Sequence, residues 1–290
     1  MKSITLRYPG FKPKALTMSF DDGIDCDIEF VNLLKKYDMK STFNICSGHF
    51  NFTKDGDKLK PGQLCMPLSK NQAKDLFSDP RCEIASHGEY HPAYAHMACS
   101  DALYDMLTDR RALEDMFGCL VRGHAYPYGD YNENVIEMLR LAGFVYARSV
   151  ESSLNFRLPK DSEWLCWKPT CHHLDPKFEE LVEAFTKPGA PFFDGMLFYI
   201  WGHTYEFRQS PDGWERIEGY MKRLAHREDV WYATNIEVYD YITAYRSLIY
   251  YADGKTVYNP TQIDIYLKVQ NNASENIVVP AGKTVKFDVE

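Results

Sequence analysis

Two carboxylates side by side at the end of an apolar run are the first residues in this chain that could do chemistry. Ser19-Phe20-Asp21-Asp22-Gly23 closes the strand-like stretch that begins at Ala15. Adjacent aspartates repel one another unless something cationic lies beside them, and Gly23 lets the backbone turn sharply and approach a ligand. A solvated acidic turn that caps the next helix would look the same. His87 and His91, in Ser86-His87-Gly88-Glu89-Tyr90-His91, also follow an apolar run directly. Histidines four residues apart meet on one face of a helical turn, and neutral imidazoles suit zinc or a similar ion. With Asp22 they offer two nitrogens and one oxygen, a set that leaves positions open for water. Read alone, His-x-x-x-His is equally a pair of satisfied polar side chains.

Two more motifs sit at the ends of apolar runs. In Ala125-Tyr126-Pro127-Tyr128-Gly129 the proline and glycine stiffen a turn, which can aim backbone N–H groups into a pocket as oxyanion donors. Ile200-Trp201-Gly202-His203 ends the most hydrophobic run, and a histidine there, beside a metal and a carboxylate, suits a general acid. Alone, one is an ordinary Pro-Gly loop and the other a buried structural histidine.

In this order the four motifs resemble the polysaccharide deacetylase family, carbohydrate esterase family four, also called the nodulation-deacetylase homology domain; the resemblance covers roughly residues 12–247. It implies a hydrolase that removes the acetyl group from an N-acetylated poly- or oligosaccharide. It assigns Asp21 as catalytic base and Asp22, His87 and His91 as ligands of a divalent ion, zinc first, with cobalt, nickel or manganese as alternatives. It makes Tyr128 the residue whose backbone N–H helps to hold the oxyanion, and His203 the catalytic acid.

The chain departs from the family pattern in three places. Ala125 stands where an arginine usually orders the base, and Arg122, His124 and Arg148 are the nearby candidates to replace it. Gly88 replaces a commoner serine or threonine, a change expected to cost little. The fourth motif, an Asp/Trp segment that tunes the acid, has no clear match; Trp164-Leu165-Cys166-Trp167 is the nearest aromatic cluster. His172 and His173 are expected on a loop facing the same end, as polar loop residues, substrate contacts or extra ligands. Glu89 and Asp130 could line the cleft, while His49, His96 and His226 are assigned to surface or structure. Two other functions compete: hydrolysis of another C–N bond, as in a small cyclic amide, and a metal-containing carbohydrate-binding module without catalysis. Retention of both Asp21 and His203 speaks against the second, because binding needs neither base nor acid.

Positioning these motifs requires strands that end at one face. From about residue 15 to 247, short apolar runs alternate with amphipathic stretches, the pattern of parallel βα units. Strands are predicted near 15–20, 41–45, 83–86, 121–126, 144–148, 196–201 and 230–234. Helices are predicted from Ile28, then over 101–117 (capped by Gly118), 132–142, 176–186, 213–226 and 236–247. Roughly seven units fit an α/β fold, a distorted (β/α) barrel whose strand C-termini form the active face. Residues 50–70 read as a polar insertion or long loop. Beyond Tyr250 the pattern turns β-like, at 263–267, 276–279 and 284–289. The expected division is a barrel over 1–249 and a small β extension over 250–290 packed on it.

Composition narrows the partners. A net charge of −8, with no basic run, argues against nucleic acid and anionic membranes. No stretch is long enough to span a bilayer, and Met1 to Gly10 lacks a signal-peptide core, so a cytoplasmic location is expected. The aromatic fraction of 14% serves a core as readily as a sugar-binding cleft. Eight scattered cysteines without a Cys-x-x-Cys pair are expected as buried free thiols in a reducing compartment. The expected partner is a carbohydrate or small amide substrate; oligomeric state is not legible.

Overall fold

The computed structural model describes residues 3–188, 195–270 and 274–287. After a first strand, β1 (Ser3–Arg7), the chain enters β2 (Lys14–Asp22), its longest strand. Around β2 gather β3 (Ser41–Ile45), β4 (Cys82–Ser86), β5 (Gly123–Ala125), β6 (Tyr146–Arg148), β7 (Cys171–His172), β8 (Met196–Gly202) and β9 (Val230–Tyr232). All pairings in this sheet are parallel, in the order β6-β5-β4-β3-β2-β8-β7, with β9 also on β2. The expected distorted (β/α) barrel is borne out.

The distortion has a visible origin at β2. One edge pairs with β8 from Lys14 to Phe20, whereas the other is shared: β9 takes Lys14 to Leu16 and β3 takes Ser19 to Asp22. On the far side, a parallel bridge between Arg148 and Trp167, with β7 on β8, closes the ring. Strand β2 is buried on both faces, as a parallel strand covered by helices must be. Its residues alternate with period two. Leu16, Met18 and Phe20 pack outward against the helices, with Phe20 4.3 Å from the Phe30 ring. Thr17, Ser19 and Asp21 share the other face, where Thr17 bonds Asn235 and Ser19 bonds Asn44.

Helices α1 (Asp27–Tyr37), α2 (Lys70–Phe77), α3 (Cys99–Phe117), α4 (Glu133–Leu141), α5 (Phe178–Thr186), α6 (Tyr205–Gln209), α7 (Gly213–Leu224) and α8 (Asn235–Arg246) complete the units. Gly118 caps α3 in the left-handed region, as its position predicts. The insertion expected over 50–70 begins in a short 3₁₀ turn, Ser47–Asn51, and runs as loop up to the start of α2 at Lys70, tied down where Met66 and Arg208 both bond Asp25.

The C-terminal β pattern is present as β10 (Ile249–Tyr250), β11 (Thr256–Tyr258), β12 (Ile265–Gln270), β13 (Ser274–Val279) and β14 (Thr284–Lys286); the predicted continuation to Val289 lies outside the described residues. Strand β12 pairs with β1 on one side and β13 on the other. Leu6 and Tyr8 thereby share a second core with Leu197, Tyr199, Ile265 and Leu267. All eight cysteines are free, but only Cys26, Cys46 and Cys171 are buried, and Cys99 and Cys119 are exposed. The expectation of buried thiols therefore holds for three; Cys82 is half-buried at the start of β4, and the other four fall on helix ends and loops. Among the described residues, no helix is long and apolar enough to cross a membrane.

Candidate active site

Strand parity alone would send Asp21 into the barrel and Asp22 to the helix side, with Phe20. The backbone prevents this: Asp22 adopts φ 86° and Gly23 φ 69°, both left-handed. The chain turns at Asp22 and both carboxylates line one cavity, of about 660 Å³. Left-handed backbone recurs at Gly88, His91, Tyr128 and Gly129 in the other site loops, the kind of local strain that a surrounding fold must hold in place. A Cβ on Gly88 would lie 2.5 Å from the Pro92 side chain and 2.7 Å from the Tyr94 hydroxyl. Glycine there is thus a packing requirement of this loop, and serine or threonine would not be the cheap exchange that the motif suggests.

The cavity gathers Asp21, Asp22, His87, His91, Tyr128 and His203, all six residues expected from the sequence. Ligand atoms of Asp22, His87 and His91 lie within 4.8 Å of one another. His87 is buried, with Nδ1 2.8 Å from the carbonyl oxygen of Ala125. A carbonyl only accepts, so Nδ1 carries the proton and Nε2 presents its lone pair. That Nε2 has no hydrogen-bond partner among the described residues and sits 3.9 Å from an Asp22 oxygen. A buried, lone-pair-bearing nitrogen oriented through its other nitrogen is the arrangement of a metal-ligating histidine. Burial holds the His87 imidazole neutral, lowering its pKa to about 3 against the pull of Asp21. His91 is likewise lowered by burial, and its ring meets that of Tyr128 edge-on at 4.3 Å. The residues present fit a divalent ion.

Asp21 is handled differently from its neighbour. Its Oδ1 accepts from the Asn44 amide at 2.7 Å, and its Oδ2 pairs with the Arg148 guanidinium. Burial works against its charge, but Arg148 above all, with His203 and Asn44, outweighs it and brings the carboxyl down to about 2. Asp22, lacking such a partner, is raised by burial. Of the three residues considered for the missing arginine, Arg148 alone reaches Asp21. It is fully buried, and its guanidinium lies 4.3 Å from the centre of the Trp201 ring. Arg122 instead pairs with Asp240, and His124 meets the Ser86 hydroxyl at 3.1 Å.

His203 places Nε2 3.7 Å from Asp21. Burial disfavours its charged form, but Glu206, Asp21 and Asp22 prevail and its pKa is raised. Glu206 carries no motif signal: it lies in the first turn of α6, where an acidic residue reads as an ordinary helix start. Asn44 was equally hidden, as one polar residue in a buried strand. His172 and His173 do not line the cavity; they pack on Glu206, with His172 ending β7 rather than standing on a loop. Trp164 and Trp167 pack against Tyr239 and Tyr199 in the second core, not against His203. His49 lines the cavity, contrary to its assignment, because the 3₁₀ turn after β3 brings it in; His96 and His226 are exposed. Glu89 and Asp130 are not on the lining, and Asp130 accepts the Ala95 N–H.

The fold is a distorted parallel βα barrel, and the candidate site lies at the C-terminal ends of its strands, the face on which such barrels carry their chemistry. The resemblance read from the motifs is borne out: the polysaccharide deacetylase family model matches residues 9–147, which supports hydrolytic deacetylase chemistry. The fold is similar to that of a Mycobacterium smegmatis protein described as a polysaccharide deacetylase (TM-score 0.54, 13% identity, covering 84% of this chain and 95% of that one). It is also similar to a mutant family 4 carbohydrate esterase pseudoenzyme with restored enzymatic activity (0.50, 13%, 79% and 68%). A Streptococcus pyogenes deacetylase, PplD, solved with acetate, matches at 0.48 and 18% identity, over 59% of this chain and 69% of that one. Other matched chains are covered over as little as 50% of their length. Comparison with the curated proteins found no match.

Proposed function

We propose that this chain hydrolyses the acetamide of an N-acetylated sugar with the help of a divalent ion, zinc by preference. The observation that carries the reading is the juxtaposition, in one cavity, of an arginine-paired carboxylate, a ligand set with a freed imidazole nitrogen, and a histidine beside that carboxylate. The cavity volume falls in the ~300–1,000 Å³ range of small-molecule sites.

Asp22, His87 and His91 would hold the ion, which supplies Lewis acidity by polarising an acetyl carbonyl and acidifying water. Asp21, kept ionised by Arg148, is placed to take a proton from attacking water. The Tyr128 turn offers backbone N–H to the developing oxyanion, where one such donor is typically worth ~3 kcal/mol. His203 in its charged form donates to the departing amine, a step an amide needs because an unprotonated amine leaves badly.

Acetate release from a panel of N-acetylated mono- and oligosaccharides tests the reading, with and without a chelator and with metals added back. Release that disappears with the chelator and returns with zinc is expected; release indifferent to chelation would remove the metal role. Asp21→Asn should abolish turnover while zinc content, read by elemental analysis, is kept. Retained activity in that variant would take the base role from Asp21.

A further inference from the structure

A second group of metal-capable atoms adjoins His203: His172, His173 and Glu206, all within 4.8 Å of one another. Its proton inventory is unlike that at His87. The Nδ1 of His172 accepts the backbone N–H of Leu174 at 3.1 Å, so a neutral His172 carries its proton on Nε2. That Nε2 faces Glu206 at 3.1 Å. An ion at this point would require both His172 nitrogens to be proton-free, which a neutral imidazole cannot offer. The cluster is therefore a set of donors around one carboxylate.

The carboxylate is well supplied. Glu206 Oε2 lies 2.8 Å from His173 Nε2 and also accepts the backbone N–H of His203 at 2.9 Å. Three donors occupy this oxygen, which leaves Oε1, 3.5 Å from His203 Nδ1. That Nδ1 is buried and makes no hydrogen bond among the described residues, so the Glu206 carboxylate is the acidic group that faces it. The space for the cluster is made by Gly202. A Cβ there would meet His173 at 2.2 Å and Glu206 Oε2 at 3.1 Å, so only glycine at the end of β8 admits both side chains. Burial works against charge on Glu206, yet the three histidines hold its carboxyl well below the usual range.

We infer that Glu206, anchored by His172 and His173, is a positioning carboxylate that fixes the Nδ1–H tautomer of His203 and so turns Nε2 toward Asp21 as the proton-exchanging nitrogen. This rests on the proposed function for the role of His203, but the tautomer itself does not. Long-range proton–nitrogen NMR of the zinc-loaded and metal-free protein, with His203 assigned by loss of its signals in His203→Gln, reads the tautomer directly. The Nδ1–H form is expected in the wild type, with a shift toward Nε2–H in Glu206→Gln. His172→Ala, which leaves the carboxylate in place, should produce a smaller shift and guards against misfolding of the first variant. Zinc per chain should be the same in all three proteins. On the proposed substrate, Glu206→Gln should lower kcat about 10- to 100-fold, the usual cost of losing an orienting partner, with KM little changed. An Nε2–H tautomer in the wild type, an unchanged tautomer in folded Glu206→Gln, or a second zinc lost with Glu206 would overturn the inference. Absence of acetate release from the wild type with the tautomer shift intact would fail the proposed function alone.

Discussion

Asp21 and Arg148 are separated by 127 residues and meet fully buried. A buried ion pair is weak evidence for stability as a pair, but breaking it strands a charge and costs ~3–5 kcal/mol. Arg148→Gln is expected to unfold at lower urea by that order. It should also let burial raise the Asp21 carboxyl from its present value of about 2. The base would then take up a proton at higher pH, so activity in the variant should be lost sooner as pH falls, and little changed at pH 8. Profiles of kcat against pH for the two proteins check this; superimposable acid limbs would show that Arg148 does not govern the base. The need for a cation beside the two aspartates was legible in their adjacency, and Arg148 was one of three candidates. Which one reaches Asp21 was not, because that depends on β6 lying on β5 in the register that pairs Ala125 with Arg148.

At the scale of elements, the loops after β2 and β8 must be held relative to one another. Asp27, at the start of α1, does so: it accepts the Ile24 N–H at 2.8 Å and the Thr204 hydroxyl at 2.6 Å. It is fully buried, and burial raises its pKa to about 8 against the two hydrogen bonds. Protonation therefore favours the fold: the contribution is complete below the unfolded value near 3.8 and is lost progressively as pH rises through about 8. Asp27→Asn keeps an acceptor for Ile24 and gives Thr204 a donor. Its stability in urea should fall less steeply than the wild type's between pH 4 and 8; parallel curves would show that Asp27 is ionised in the fold. Most helices were legible from their period and caps. Helix α2 was not, because it is short and polar and buries only Ala73 and Phe77, too few apolar positions to define a stripe.

For the whole molecule, the C-terminal strands share a core with the first strand. Val257, Ile265, Leu267 and Val269 are buried with Leu6, Tyr8 and Tyr199. Large apolar side chains contribute roughly 1.5–3 kcal/mol each when buried, and total stability is typically ~5–15 kcal/mol. A chain ended at residue 249 is thus expected to lose its cooperative thermal transition by circular dichroism; an unchanged transition would make the barrel self-sufficient. What the sequence by itself determined is what local chemistry determines: the period-two and period-3.6 patterns that make βα units, and the residue types at strand ends that suit a metal and a proton shuttle. The family resemblance turned these into named roles for Asp21, Asp22, His87, His91, Tyr128 and His203. Only the tertiary structure decided which arginine pairs with Asp21, that Asp22 turns back into the cavity, that His87 offers Nε2, and that Glu206 gathers three histidines. Each of these depends on strand register, backbone hand or hydrogen-bond direction between segments distant in the chain. A one-dimensional pattern carries no such coordinate.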